Sequence, residues 1–257
     1  MDRAGRLLSM NASSRHPTPE SAAPARSTEL PATESWPLAT SAWLADRLRA
    51  GSCPPDPAFD ELLPGDLRLV SGDYWTPLAV ALTAARWLEE QAAGTVVDIG
   101  AGPGKFCLTV ALASRCEVVG FEHRPRLVAV ARALAQQLGL ERRARFVEGS
   151  LGETPLPVGG AYYLYNPFAE NLYGPSSSLG GDVELSCARY ALDVNIVLDT
   201  FRRAPKGTLV LTYNGFGGCM PASYQPIRTQ RELPCVLRMW RKTRSGDDGG
   251  FSPAGAD

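Results

Sequence analysis

The chain is poor in the residues that do most acid, base and metal chemistry. It has two histidines, His16 and His123, and its six cysteines (Cys53, Cys107, Cys116, Cys187, Cys219 and Cys235) include no C-x-x-C pair. Zinc sites are built from closely spaced Cys and His ligands, so no metal site is expected. The cysteines read instead as reduced thiols of a cytoplasmic protein, several of them packed on apolar helix faces or strands. A surplus of charge is missing too. The formal net charge is −1, which removes the bulk electrostatic case for nucleic acid or an anionic membrane as partner. No stretch reaches the roughly 18 consecutive apolar residues of a membrane-spanning helix. The N-terminus carries arginines but lacks the apolar core of a secretory signal. What remains is a globular composition, 44% hydrophobic and 21% charged, in a chain long enough for one sizeable α/β domain with appendages.

Residues 1–40 are rich in Ser, Thr, Ala and Pro and cannot bury enough apolar surface to offset ordering entropy. They are expected to form a disordered tail, as are residues 245–257. Residues 41–244 read as a single domain, with a helical cap over 41–93 and a core over 94–244. In the cap, 41–50 has helical periodicity through Trp43, Leu44 and Leu48. A longer helix is expected to follow Thr76 as N-cap and Pro77 as first helical residue, with Leu78, Leu82, Ala85 and Leu88 on one face. In the core, strands are expected at 96–99, 116–122, 145–148, 161–165 and 208–213, with a pair at 223–230 and 235–242 around a turn at 232–234. Helices alternate with the first strands, one opening at Pro125 and closing at Gly139. Another is expected to be capped by Asp182 and to carry Val183, Cys187, Tyr190, Val194, Val197 and Phe201. The serines 176–178 fall in a loop readable as a lid or a plain connector. Arg238, Arg241, Lys242 and Arg244 read as a solvated edge strand.

The chemistry concentrates at VVDIGAGPGK, residues 96–105. A buried strand runs into a glycine turn and then a helix. Glycine lets backbone N–H groups approach a ligand and tolerates positive φ, and the helix N-terminus adds its dipole. Such a turn holds an anionic or zwitterionic cofactor. Its third glycine comes one residue too early for the dinucleotide fingerprint G-x-G-x-x-G, and Lys105 stands where that glycine belongs. A P-loop is also a poor match, because Ile99 occupies its first glycine position and Phe106 follows the lysine where a hydroxyl would hold magnesium. Glu122 ends the second strand, 22 residues beyond Gly100. That is the separation at which a carboxylate meets ribose hydroxyls in a βαβ unit. His123 reads as an adenosine-side neighbour or a surface residue. At the end of the fourth strand stands Asn166-Pro167-Phe168, followed by Glu170, readable as a partner for a cationic amine or, the preferred reading, as a surface helix-cap carboxylate.

Asp98-x-Gly100-x-Gly102-x-Gly104 after a strand resembles motif I of the class I S-adenosylmethionine-dependent methyltransferases. Asn166-Pro167-Phe168 resembles the N/D-P-P-Y/F motif of members that act on planar amino groups, with one proline missing. The resemblance covers roughly residues 72–243. It implies a seven-stranded, mostly parallel Rossmann-like sheet with a C-terminal antiparallel hairpin and an N-terminal helical cap. The implied cofactor is S-adenosyl-L-methionine, with Gly100, Gly102 and Gly104 at the donor, Asp98 on its amino-acid end and Glu122 on its ribose. Ser150 stands where the family often has an acidic residue for the adenine, a departure that leaves a serine or a backbone group to do that work. Asn166 is expected to position the acceptor, with Phe168, and Tyr74, Trp75 and Thr76 to line the substrate site. The loop 215–218 is expected to border it as well. The implied activity is methyl transfer, slightly favouring N-methylation of a protein amine or a small molecule over nucleic acid. The alternatives are a non-catalytic cofactor-binding module with a regulatory or scaffold role and, third, an NAD-dependent oxidoreductase.

Overall fold

A computed structural model describes residues 41–172, 179, 183, 185–232 and 235–245. The expected tails over 1–40 and 246–257, the loop serines 176–178, Asp182 and the centre of the last turn lie outside the described residues. Among them a seven-stranded sheet runs in the order β3-β2-β1-β4-β5-β7-β6. Its strands are β1 (Thr95–Ile99), β2 (Glu117–Glu122), β3 (Ala144–Glu148), β4 (Ala161–Tyr165), β5 (Leu209–Tyr213), β6 (Tyr224–Glu232) and β7 (Cys235–Lys242). Strands β1 to β5 pair in parallel, and β7 is antiparallel to both of its neighbours. The sheet is Rossmann-like with a closing antiparallel pair, and its strand order reverses between β1 and β4. Ligands of such sheets bind at the carboxyl ends of strands flanking that switch.

Alternation along the strands sorts side chains onto two faces. Val96, Ala161, Tyr163, Leu209 and Leu211 join one apolar cluster with α5 (Leu78–Glu90), α6 (Lys105–Ala113) and α7 (Pro125–Gln137). Val97, Ile99, Tyr162, Leu164 and Val210 join the other, with α8 (Cys187–Arg203). Helix α6 is buried from Lys105 through Leu112, as a helix apolar on nearly all sides must be. It is covered by the cap helices α1 (Ser41–Arg49) and α5. No helix among the described residues is long and apolar enough to cross a membrane.

Several local expectations give way to tertiary contacts. Helix α8 begins at Cys187, with Ser186 as N-cap accepting from the Arg189 N–H at 3.0 Å, so Val183 stands outside it. Pro77, not Thr76, is the N-cap of α5. The Thr76 hydroxyl is engaged by Tyr163 Oη at 2.8 Å, and the Leu78 N–H donates to Asp56 Oδ1 at 3.0 Å. The cap also contains three short helices that periodicity could not register: α2 (Asp56–Asp60), α3 (Gly65–Leu69) and α4 (Ser71–Tyr74). Lys242 is not solvated. It is fully buried, and its Nζ donates to the Phe201 and Arg202 carbonyls at the end of α8, where a cation meets the negative end of the helix dipole. Of the cysteines, Cys107 and Cys116 are buried, whereas Cys53, Cys187 and Cys219 are exposed.

Candidate active site

The carboxyl ends of β1, β2, β4 and β5 open into a cleft of about 1130 Å³. Its floor is the glycine turn. Gly100 has φ +82° and Gly102 has φ +56°, and each is closely covered. A Cβ on Gly100 would stand 2.7 Å from Pro167 Cβ, and one on Gly102 would stand 2.8 Å from Trp75 Cζ3. The turn is thus wedged between the strand-four motif and the cap, in a backbone conformation that side chains disfavour.

The N–H groups of the turn are not offered to the cleft. Gly100 donates to the Phe121 carbonyl at 2.9 Å, Gly104 to the Ala101 carbonyl at 3.0 Å and Gly102 to Glu122 Oε2 at 2.9 Å. Glycine here also permits the close approach of Pro167 and Trp75. Gly104 itself is packed against Phe146 and Ala131, away from the cleft.

Glu122 is 4% exposed. Its Oε1 accepts the Arg124 N–H at 2.9 Å, so each oxygen takes one backbone donor and keeps a lone pair. Adjacent His123 lines the cleft with its Nδ1 3.5 Å from Glu122 Oε1. Burial holds its pKa below the usual imidazole value, the neighbouring Glu122 opposing this.

Of the residues singled out from the sequence, Tyr74, Trp75, Gly100, Gly102, Glu122, Ser150, Asn166 and Phe168 line the cleft together. Thr76 and Asp98 do not. They face a separate cavity of about 20 Å³ beneath the turn, shared with Trp75, Gly100, Lys105, Tyr163 and Tyr165. Asp98 is 3% exposed and accepts a thiol hydrogen bond from Cys107 at 3.2 Å. Burial raises its pKa to about 7, and burial together with Asp98 pushes the Cys107 thiol well up. Asn166 has φ +39° and donates its backbone N–H to the Gly215 carbonyl at 3.0 Å. Phe168 is largely packed inside, against the cluster on the α8 face. Asn214 reaches the cleft and the loop 215–218 does not, because Gly217 packs on Tyr190 and Val194.

Three features escaped the sequence reading. Arg124 and Glu170 form an ion pair at 2.9 Å, with side chains 10% and 12% exposed, on the cleft wall. Glu170 is therefore a wall residue and not a surface cap. Arg189, one turn before Asp193, pairs with it in the same wall and donates to the Leu151 carbonyl at 2.7 Å. Lys105, noted only as a misfit to other motifs, is 2% exposed. Its Nζ lies 2.6 Å from Asp56 Oδ1, 2.8 Å from Asp60 Oδ1 and 3.3 Å from Ser71 Oγ. It ties the helix after the turn to the part of the cap that precedes Tyr74 and Trp75. An arginine two residues after the strand-two carboxylate was a visible signal. The Lys105 partners, 34 or more residues away in sequence, gave none.

A glycine turn after β1, a strand-two carboxylate and a cleft at the topological switch define a Rossmann-like protein built to hold a nucleoside cofactor. Residues 90–158 match the family model described as "Methyltransferase domain". Among solved structures, an RNA methyltransferase from Salinibacter ruber, in complex with S-adenosyl-L-homocysteine, is 21% identical, the match covering 71% of this chain and 98% of that one with a TM-score of 0.47. Mitomycin 7-O-methyltransferase MmcR is 16% identical, covering 79% of this chain and 68% of that one at 0.47. The methyltransferase SibL in its apo form is 12% identical, covering 82% and 71% at 0.46. No curated protein matches the chain significantly.

The residues present fit S-adenosyl-L-methionine. The cleft has the volume of a small-molecule site, and each Glu122 oxygen keeps a lone pair for a vicinal hydroxyl.

Proposed function

We propose that this chain transfers the methyl group of S-adenosyl-L-methionine to an amine nitrogen positioned by Asn166. The observation that carries the reading is the Asn166 carboxamide. It stands on the cleft next to Pro167, which covers Gly100, and has no hydrogen-bond partner among the described residues. Its oxygen is free to accept an amine N–H and so orient the nitrogen lone pair. The donor, when bound, supplies an electrophilic methyl on a sulfonium. The protein's task is then alignment and exclusion of water, and alignment is worth about 7–11 kcal/mol. Glu122 is suited to the ribose hydroxyls, Ser150 to the base, and Tyr74 with Tyr165 to the walls beside the acceptor.

A cationic acceptor is favoured by the lining charges. Asp66, Asp73, Glu122, Glu153, Glu170 and Asp193 face Arg124 and Arg189 around the cleft. This excess of carboxylates attracts an ammonium and repels a phosphate backbone. An ammonium must shed its proton before it can attack, so turnover is expected to rise with pH through the alkaline range.

Labelled-methyl transfer from the donor into cell extract, separated into protein, small-molecule and nucleic-acid fractions, tests the reading. Label is expected in protein or small molecules. Label confined to nucleic acid would overturn the amine acceptor. Tight donor binding with no transfer into any fraction would favour a binding module instead. Asn166→Ala is expected to lower turnover at least about tenfold (1.4 kcal/mol) with little change in donor affinity. Equal losses in both would make Asn166 a cofactor residue only.

A further inference from the structure

Lys105 is the first residue of α6, directly after its N-cap Gly104. It is fully buried and does not line the large cleft. An ammonium has three N–H donors, and three oxygens meet this one: Asp56 Oδ1 at 2.6 Å, Asp60 Oδ1 at 2.8 Å and Ser71 Oγ at 3.3 Å. Each carboxylate oxygen also holds a second group. Asp60 Oδ1 accepts the Ser71 hydroxyl at 2.6 Å, and Asp56 Oδ1 accepts the Leu78 N–H at 3.0 Å. Ser71 and Leu78 bracket the segment that carries Tyr74 and Trp75 onto the cleft.

The middle of that segment is also held from the turn and α6. Thr76 Oγ1 lies 2.8 Å from Tyr163 Oη, and the Tyr163 ring stacks on Phe106 with centroids 3.5 Å apart. The Trp75 N–H donates to the Ser71 carbonyl at 2.9 Å, and the Trp75 ring edge rests on Gly102. Residues 71–78 are thereby registered on residues 102–106. A buried ionic cluster stabilises a fold little more than well-packed apolar side chains of the same volume. What it adds is direction, because a charged hydrogen bond fixes a distance and an angle. Alignment is where methyl transfer gains its rate, and a misplacement of about 1 Å can cost about 100-fold.

We propose that Lys105 is a positioning residue for the transfer: through Asp56, Asp60 and Ser71 it holds Tyr74 and Trp75 in register with the glycine turn, so that the acceptor side of the cleft is aligned with the donor. This rests on reading the cleft as an S-adenosyl-L-methionine site with an amine acceptor.

Calorimetric titration with S-adenosyl-L-homocysteine and with sinefungin, which carries an amine where the donor carries its methyl group, tests it. The first ligand reads the donor side alone, and the sinefungin amine reaches the acceptor side. The wild-type chain is expected to prefer sinefungin at least about tenfold, the worth of one charge-assisted bond. Lys105→Met combined with Asp60→Asn is expected to bind S-adenosyl-L-homocysteine nearly as well as wild type and to lose most of the preference. Asp56→Asn keeps an acceptor for the Leu78 N–H at a side chain already 40% exposed, so it tests the same point with the fold secure; it is expected to lose part of the preference. Val197→Ala, buried on the α8 face away from the cleft, is expected to lower the melting temperature and leave the preference intact. An unchanged preference in the Lys105 and Asp56 variants would overturn the proposal, and so would an equal loss in Val197→Ala, which would make the effect one of general stability. A fall in S-adenosyl-L-homocysteine affinity with the preference intact would make Lys105 a support of the donor turn only, and would overturn it too. Equal wild-type affinities for the two ligands would overturn the amine-acceptor reading and the proposal with it, and a wild-type chain that binds neither would overturn the cofactor reading itself.

Discussion

Asp98 illustrates how one residue ties stability to binding. Burial lifts its pKa from the ordinary 3.8 to about 7. Between those values the folded chain holds a proton that the unfolded chain has released. Asp98 therefore subtracts stability progressively as pH rises from about 4 to 7, and the loss is complete above 7. Asp98→Asn is expected to be more stable than wild type at pH 8, with the difference shrinking toward pH 4, in urea melts across that range. The same variant should bind the donor more weakly, because it has no charge for the ammonium. At Glu122 the expected effect is on binding: Glu122→Gln keeps the volume and is expected to weaken donor affinity with the fold intact by circular dichroism. Unchanged affinity would remove Glu122 from the site. Both carboxylates were legible from strand position and spacing. Their surroundings were not. That Asp98 faces a small cavity beneath the turn, and that Glu122 closes the turn through the Gly102 N–H, depends on how the strand ends meet.

Between the elements, the Lys105 cluster is a buried tie from α6 to the cap. Lys105→Met would leave Asp60, whose side chain is 11% exposed, and part of Asp56 without their cation. Breaking a buried pair from one side costs about 3–5 kcal/mol. The variant is expected to melt well below wild type, and Asp60→Asn on top of it should restore part of the difference. A drop in melting temperature no larger than that of an exposed ion pair would show the cluster to be slack. Helix α5 shows why such ties hide from sequence. Thr76-Pro77 reads as a helix start from local chemistry, but Tyr163 claims the threonine and Asp56 supplies the missing acceptor. Helix α8 shows the reverse error. Val183 continues the apolar spacing of Cys187 and Tyr190, yet the helix is set by the Ser186 cap. Periodicity reports which residues share a face, and capping contacts decide where the face begins.

At the scale of the molecule, the alternation of strands and helices carried the sheet, because parallel strands buried on both sides leave continuous apolar runs. The closing pair was legible for the same reason. Its anchoring was not, since Lys242 looks like any other surface cation in KTR. Removing residues 223–245 would bare the β5 edge and leave the α8 carbonyls without Lys242. The truncated chain is expected to aggregate, measured by size-exclusion chromatography, and a soluble, donor-binding monomer would show the hairpin to be dispensable. The contact between Gly100 and Pro167 reaches furthest. Two stretches that look like independent motifs in the sequence, 67 residues apart, occupy one another's space to within a single methyl group. They can drift only as a couple: a side chain at position 100 meets Cβ and Cα of residue 167, atoms that survive loss of the proline ring, so a lineage that gains one must take glycine at 167 or shift the backbone there. Sequences diverging from this one should therefore show the two positions changing together, even where neither touches the acceptor.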